Sequence, residues 1–299
     1  MSVKQRAVLI VNSKSRRGGD WFHSAVETLQ RSEKIELVGI HSLRKPTDVL
    51  RETDKAISEG IPLVIVGGGD GTLSAAAPRF IGSKSVFGVL PLGTGNQFAY
   101  DLGIVADVET SCRVLTDGKE AAVDIGVIGN GHFLTVATVG LTTLIANELT
   151  NAAKRKFGRI SYLFALVKAL QRVRPFRATF MTEEGERTFE TLQIVIGNGR
   201  FHGGPFPLSP DACITNGILT VYALEGTSRW EFLRLAVKLP GGHQAELQNV
   251  SAFETKGGVL EATPVQRVTV DGETRLRTPV KFGIVHAALR VMVPQEFQG

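Results

Sequence analysis

The stretch Ile61-Pro62-Leu63-Val64-Ile65-Val66-Gly67-Gly68-Gly69-Asp70-Gly71-Thr72-Leu73 decides how this chain is read. An apolar run passes directly into three glycines, an acid, a further glycine and a hydroxyl. Such a run, closed by glycine, is the pattern of a strand buried on both faces of a parallel sheet. Glycines reach positive φ at little cost and let the backbone press close to a ligand. Successive N–H groups in such a turn form an anion nest. The expected ligand is a phosphate chain, with Asp70 placed to bind a metal or to hold a donor beside it. The bland alternative is a tight strand-to-helix turn with no ligand. The turn is neither G-x-G-x-x-G nor a Walker A loop, since no Gly-Lys-Ser/Thr follows.

Outward from this turn, strands and helices alternate. Ala7–Val11, Ile35–His41, Leu63–Val66 and Val86–Leu90 read as strands. Asp20–Ser32, a segment opened by Pro46, and Thr72–Phe80 read as helices. That alternation predicts a doubly wound α/β domain with a parallel sheet, whose ligand lies beyond the carboxyl ends of the strands. Three loops follow strands: Asn12 to Gly19, Gly67 to Leu73, and Pro91 to Asn96. They are expected to converge.

After about Glu120 the texture changes. Ala122–Ile128, His132–Val139, Ala178–Thr182, Thr188–Ile196, Ile218–Ala223 and Val265–Val270 follow one another as strands, predicting an antiparallel sandwich. Thr142–Thr150, Gly158–Arg174 and Ser228–Leu239 read as helices. The expected division is an α/β domain over 1–122, a β-sandwich domain over 123–285, and a last strand, about 286–299, returning to the first.

Size and charge bound the rest. The chain has 299 residues and a formal net charge of +5. The mild positive excess fits a solvated surface, or attraction to anionic lipid or a phosphorylated ligand. No stripe of Lys and Arg interleaved with aromatics points to nucleic acid. The two cysteines, Cys112 and Cys213, form no C-x-x-C pair and no disulfide framework. That usage fits a reducing cytosol. The apolar run Ala7–Val11 is too short for a signal peptide, and no window suits a membrane span.

Other motifs add to the turn. Pro91-Leu92-Gly93-Thr94-Gly95-Asn96-Gln97-Phe98-Ala99 offers Thr94 as a donor to phosphate, and Asn96 for a ribose, a phosphate or a neighbouring backbone group. Thr and Asn are also favoured helix caps. Asn12-Ser13-Lys14-Ser15-Arg16-Arg17 offers small polar groups and cations. Gly197-Asn198-Gly199-Arg200-Phe201-His202-Gly203-Gly204 opens a glycine-rich crossing. Val270-Asp271-Gly272-Glu273 ends a strand with two acids about a glycine. Asp-Gly is a hairpin signal in its own right. The functional reading makes Glu273 a proton acceptor.

Taken in order, these motifs resemble the diacylglycerol kinase catalytic-domain family, in its bacterial lipid kinase and sphingosine kinase-like branch. The likeness runs nearly end to end. It includes Val123-Asp124-Ile125-Gly126, Gly158–Tyr162 and the stretch from Gly203-Gly204 to Gly217. It implies a nucleotide-binding α/β domain and a β-sandwich lipid domain, with the active site in the cleft between them. It also implies transfer of phosphate from ATP to a lipid hydroxyl. The family's nucleotide contacts fall on Asn12, Ser13, Lys14, Ser15 and Arg16, loosely on Ser42, on Gly68, Gly69, Asp70, Gly71, Thr72, Leu73 and Ser74, and on Thr94. Asp70 would act through Mg²⁺, and Glu273 matches the general base. Asp124 matches a supporting acid, partnered with Arg17, while Gly93, Asn96 and Asp271 support the same machinery.

There are departures. Ser13 replaces proline, Arg16 replaces glycine, and Gln97 replaces aspartate. Asn216 replaces the aspartate that, with carbonyls of Cys213 and Ile218, binds a structural Mg²⁺ in similar bacterial members. A neutral amide is a poorer magnesium ligand than a carboxylate. Lys154 to Val167 joins cations to an apolar helix, either for domain packing or facing lipid. The expected protein is a cytoplasmic lipid kinase that meets the membrane transiently, with ATP and Mg²⁺ as cofactors and no nucleic-acid partner. A kinase of another hydroxyl substrate, as in NAD kinases, and a nucleotide-binding regulator without turnover stand as alternatives.

Overall fold

In the computed structural model the described residues are 4–148, 168–169, 171–200, 212–225 and 250–299; the side chains of 145–148, 225, 274 and 275 are outside the description. The expected helices Gly158–Arg174 and Ser228–Leu239, and the segment Lys154 to Val167, lie wholly or largely outside it. The chain forms two compact units. Unit one holds Met1–Ile125, Gly199–Gly217 and Val285–Gly299, and unit two holds Gly126–Asn198 and Ile218–Ile284.

Unit one is built on strands β1 (Gln5–Asn12), β2 (Ile35–Leu43), β3 (Leu63–Gly68) and β4 (Val86–Pro91). Their spatial order is β4-β3-β1-β2, all parallel. The final strand β15 (Val280–Val293) adds beside β4, with Val291 opposite Phe87. β3 and β4 are buried along their whole length, which is why they read as unbroken apolar runs. Helix α1 (Gly18–Arg31) lays Ala25 and Leu29 on the core formed by Ala7, Leu9, Val11, Leu63 and Ile65. Helix α2 (Pro46–Ser58) begins on a proline, whose fixed φ suits a first turn.

The glycine turn launches α3 (Asp70–Ala76), which continues as a 3-10 turn over Ala77–Phe80. Pro78 has no N–H and cannot extend the α-helical ladder, so the single helix expected through Phe80 is split. α4 (Gln97–Asp101) follows β4, and α5 (Val108–Asp117) follows that. Asp107 caps α5 by accepting from the Thr110 N–H at 3.0 Å. This cap holds the Asp107 carboxyl below its usual range.

Unit two is antiparallel. β5 (Lys119–Ile128) enters it and pairs with β6 (Gly131–Phe133). β7 (Val136–Gly140) and α6 (Leu141–Glu148) follow. β9 (Gly185–Gly197) pairs with β8 (Phe176–Thr182) along its first half, and with β7 and β10 (Leu219–Glu225) along its second. β11 (Val250–Thr255), β12 (Gly257–Thr263), β13 (Arg267–Val270) and β14 (Glu273–Arg277) complete the set. Phe133, Phe176, Phe180, Ile194, Ile196 and Val221 fill the core. The run expected as one strand from His132 to Val139 is two strands, because the backbone at Leu134 to Val136 turns to meet Asp271. The expected boundary at 122/123 falls here at Ile125/Gly126, and unit one also takes in Gly199–Gly217.

Candidate active site

The three strand-end loops of unit one interlock. The Asn12 side-chain amide donates to the Thr72 hydroxyl at 2.9 Å, tying the first loop to the glycine turn. Its carbonyl oxygen accepts from the Lys14 N–H at 3.1 Å, which shapes the first loop itself. The Arg17 N–H donates to Leu92 O at 3.1 Å, and the Leu92 N–H to Gly68 O at 2.8 Å. Ser13 is anchored on the next strand, donating to Leu43 O through both N–H and hydroxyl.

Asp70 is the pin of this assembly. One carboxylate oxygen accepts from the Asn96 N–H at 2.8 Å, and the other from the Gln97 N–H at 2.6 Å. Those N–H groups open α4, so Asp70 performs the capping expected of Thr94 or Asn96. Asn96 makes no side-chain cap and sits at φ 50, ψ 39. Its side chain turns back within the loop, accepting from the Gly93 N–H at 2.8 Å. An asparagine tolerates the left-handed region better than most residues. Thr94 is exposed, as are Lys14, Arg16 and Ser42. Ser15 and Ser74 are half-buried, and Leu73 is buried under the turn.

The glycines of the turn are required for space rather than for positive φ. None of Gly67, Gly68, Gly69 and Gly71 has a left-handed φ, which corrects the conformational reason expected for them. A Cβ on Gly68 would lie 2.4 Å from the Thr72 Cβ, and one on Gly93 2.6 Å from the Gly69 Cα. One on Gly95 would meet the Asp70 carboxylate at 2.7 Å. Gly71 is different: a Cβ there meets nothing within 4 Å. Protein packing explains the other glycines, while a Cβ on Gly71 would point into open space.

Arg17 does not pair with Asp124. Its guanidinium donates to Ala106 O at 3.0 Å and stacks on Trp21 at 4.7 Å from the ring centre. Asp124 is fully buried and serves backbone instead. It accepts from the Gly217 N–H at 2.7 Å and the Ala287 N–H at 2.8 Å, and lies 2.8 Å from His286 Nδ1. The expected partnership fails because each side chain is already committed within its own neighbourhood.

In unit two, Asp271 (φ 44) and Gly272 (φ 86) form the two-residue turn between β13 and β14, so the Asp-Gly hairpin signal holds. The Asp271 carboxylate accepts from the N–H groups of Leu134, Thr135 and Val136 at 2.8–3.1 Å, and from the Thr135 hydroxyl at 2.8 Å. Asn198 braces the same segment through Leu134 O at 2.9 Å. Glu273 is the exposed first residue of β14, directly after this braced turn. Cys213 lies 2.9 Å from the Thr215 hydroxyl, Asn216 is exposed, and Ile218 is half-buried. Among the described residues, no group of three or more His, Cys, Asp or Glu could hold a metal ion, and no helix is long and apolar enough to cross a membrane.

Sequence reading missed Asp101, which accepts from the Arg200 N–H at 2.7 Å, and missed His286 and Thr135. No local pattern marks them, since each partner is distant along the chain.

Comparison with known proteins agrees with this architecture. Residues 6–128 match the model for the diacylglycerol kinase catalytic domain, and residues 135–293 match that for the YegS C-terminal NAD kinase beta sandwich-like domain. A protein of Klebsiella pneumoniae named "Probable lipid kinase YegS-like" is 30% identical over 99% of this chain and 98% of its own. A protein of Mycobacterium tuberculosis named "Diacylglycerol kinase" is 30% identical over 91% of this chain and 89% of its own. A solved diacylglycerol kinase structure from Bacillus anthracis matches with a TM-score of 0.74 at 17% identity, covering 98% of both chains. A second structure from that organism reaches 0.81 at 21% identity with the same coverage. At such identities the likeness shows the fold.

Proposed function

Because the chain belongs to the diacylglycerol kinase catalytic-domain family of lipid kinases, we propose that it transfers the γ-phosphate of ATP to the hydroxyl of a diacylglycerol-like lipid. The observation that carries the nucleotide half is the interlocked glycine turn, with Gly71 bare on its open side. A phosphate chain needs backbone N–H groups held in place before it arrives, and the Asn12–Thr72 and Asp70–Gln97 bonds hold them. The nucleotide contacts proposed are Asn12, Ser13, Lys14, Ser15, Arg16, Ser42, Gly68 to Ser74 and Thr94, which lie at the ends of β1, β2 and β3, in the loops that follow β1, β3 and β4, and in α3.

Phosphoryl transfer depends mainly on positioning and on neutralising phosphate charge. Mg²⁺ carried with the triphosphate would supply part of that neutralisation, with Asp70 the residue to hold it. Magnesium commonly binds through one carboxylate plus substrate phosphates, so a single acid suffices. The second site, Cys213, Asn216 and Ile218, offers no carboxylate among its members. Lys14 and Arg16 add positive charge beside the turn. Glu273 takes the proton of the attacking lipid hydroxyl, and Asp271 fixes the turn that presents it. The reaction takes place where lipid is available, so the protein meets the membrane surface transiently.

The test is labelled ATP with a panel of diacylglycerol, phosphatidylglycerol, ceramide and sphingoid bases in mixed micelles. Transfer to one of them, lost in Glu273→Ala with ATP binding retained, supports the reading. Stabilisation by ATP with no transfer to any lipid would make the chain a nucleotide-binding regulator instead.

A further inference from the structure

Unit one contains a cavity of about 310 Å³ that shares only Cys213 with the sites already considered. Tyr100, Arg200, Ala212, Cys213, Ile214 and Phe297 contribute to its wall. This volume is at the lower end of the range for small-molecule sites, roughly 300–1,000 Å³.

Arg200 gives the cavity its chemistry. The residue is half-buried, and its Nε donates to Ala212 O at 3.3 Å. Among the described residues its terminal nitrogens have no partner. A guanidinium removed from bulk water favours an acceptor, and its planar fork suits a carboxylate or phosphate. Neither acidic side chain in the wall, Asp101 or Glu296, supplies that acceptor. Asp101 turns to the backbone, taking the Arg200 N–H at 2.7 Å, and it packs so closely that a Cβ on Gly199 would lie 2.4 Å from its Oδ2. Glu296 is exposed. Tyr100, Ile214 and Phe297 offer two ring surfaces and a branched aliphatic to whatever body carries the anion.

We propose that this cavity binds a small organic anion, a carboxylate or phosphate on an aromatic or branched apolar body, with Arg200 as the anion contact. The site stands apart from the glycine turn but is joined to it by α4. That five-residue helix has its first N–H group held by Asp70 and ends at Asp101, which holds the Arg200 backbone. A ligand on Arg200 therefore acts on the element that positions the phosphate loops.

Cys213 is a built-in reporter. It is half-buried in the cavity wall, whereas burial of Cys112 pushes that thiol up to about 12 and silences it. The rate of Cys213 alkylation by iodoacetamide is measured on the full chain with benzoate, phenyl phosphate and inorganic phosphate at millimolar concentration. The expected result is several-fold protection by benzoate or phenyl phosphate, and which of the two protects more distinguishes carboxylate from phosphate. Inorganic phosphate, lacking the apolar body, should protect less. Arg200→Gln should weaken the protecting anion roughly tenfold, the loss typical of a charge-assisted hydrogen bond, and Arg200→Lys should restore part of it. Phe297→Ala should weaken phenyl phosphate without affecting inorganic phosphate. No protection by either organic anion, or equal protection in Arg200→Gln, would overturn the proposal. The readout requires no turnover, so it stands or falls separately from the lipid kinase assignment.

Discussion

Replacing Asp70 by Asn separates two roles that one carboxylate can play. In the structure both oxygens accept backbone N–H groups, from Asn96 at 2.8 Å and Gln97 at 2.6 Å. Hydrogen bonds to a charged partner contribute about 1.5–3 kcal/mol each, and a donor left unmet costs about 1–3 kcal/mol. The amide keeps one acceptor and turns an NH₂ toward the other N–H. One bond is lost and the second loses its charge assistance. Asp70 is half-buried, so water recovers part of the loss. The expected net destabilisation is about 2 kcal/mol. For a unit of this size that lowers the midpoint of thermal unfolding by about 4–8 °C. The assay is thermal unfolding without nucleotide, then with ATP and Mg²⁺. A pure metal ligand would behave in the opposite way: unfolding without nucleotide would be unchanged, and only stabilisation by ATP–Mg²⁺ would be lost. A shift in unliganded Asp70→Asn below about 0.5 kcal/mol would therefore refute the clamp.

Other substitutions test other parts of the structure. Gly68→Ala, whose Cβ would land 2.4 Å from that of Thr72, should cost about 1–3 kcal/mol in denaturant unfolding. Gly71→Ala, with nothing within 4 Å of its new carbon, should leave stability equal or slightly raised, yet weaken ATP roughly tenfold by calorimetry. Asp124→Asn leaves a fully buried site with three neighbours to satisfy, and should destabilise unit one by about 3 kcal/mol. Glu273→Ala should lower kcat by about 10²–10⁴ in the lipid assay with ATP affinity unchanged. Mass spectrometry after alkylation at pH 8 should find Cys213 modified and Cys112 intact, because burial raises the Cys112 thiol to about 12.

Much of the fold was legible because its signals are local. β1, β3 and β4 announce themselves as apolar runs, Pro46 opens α2, and Asp271-Gly272 names its own hairpin. Strand ends were less legible. β3 extends through Gly67 and Gly68, since the ladder to β4 pairs them with Leu90 and Pro91 whatever their propensity. β11, β12 and β14 were missed, as mixed polar and apolar strands owe their existence to neighbours rather than to pattern. The helix expected through Phe80 broke at a proline already visible in the sequence.

The amino-acid order alone determined that a buried strand ends in a glycine turn, that two further loops share its end of the sheet, and that an antiparallel unit follows. Each of those statements depends on residues within a few positions of one another. Tertiary structure decided what the acids do. Asp70 clamps a loop 26 residues away, Asp124 ties down backbone 93 and 163 residues on, and Asp271 anchors a segment more than 130 residues earlier. A carboxylate's role depends on which donors reach it, and only the folded chain brings those donors within hydrogen-bonding distance. The same holds for the glycines of the turn. Composition marks all of them alike, but the packing around each shows that most make room for protein while a Cβ on Gly71 would meet open space.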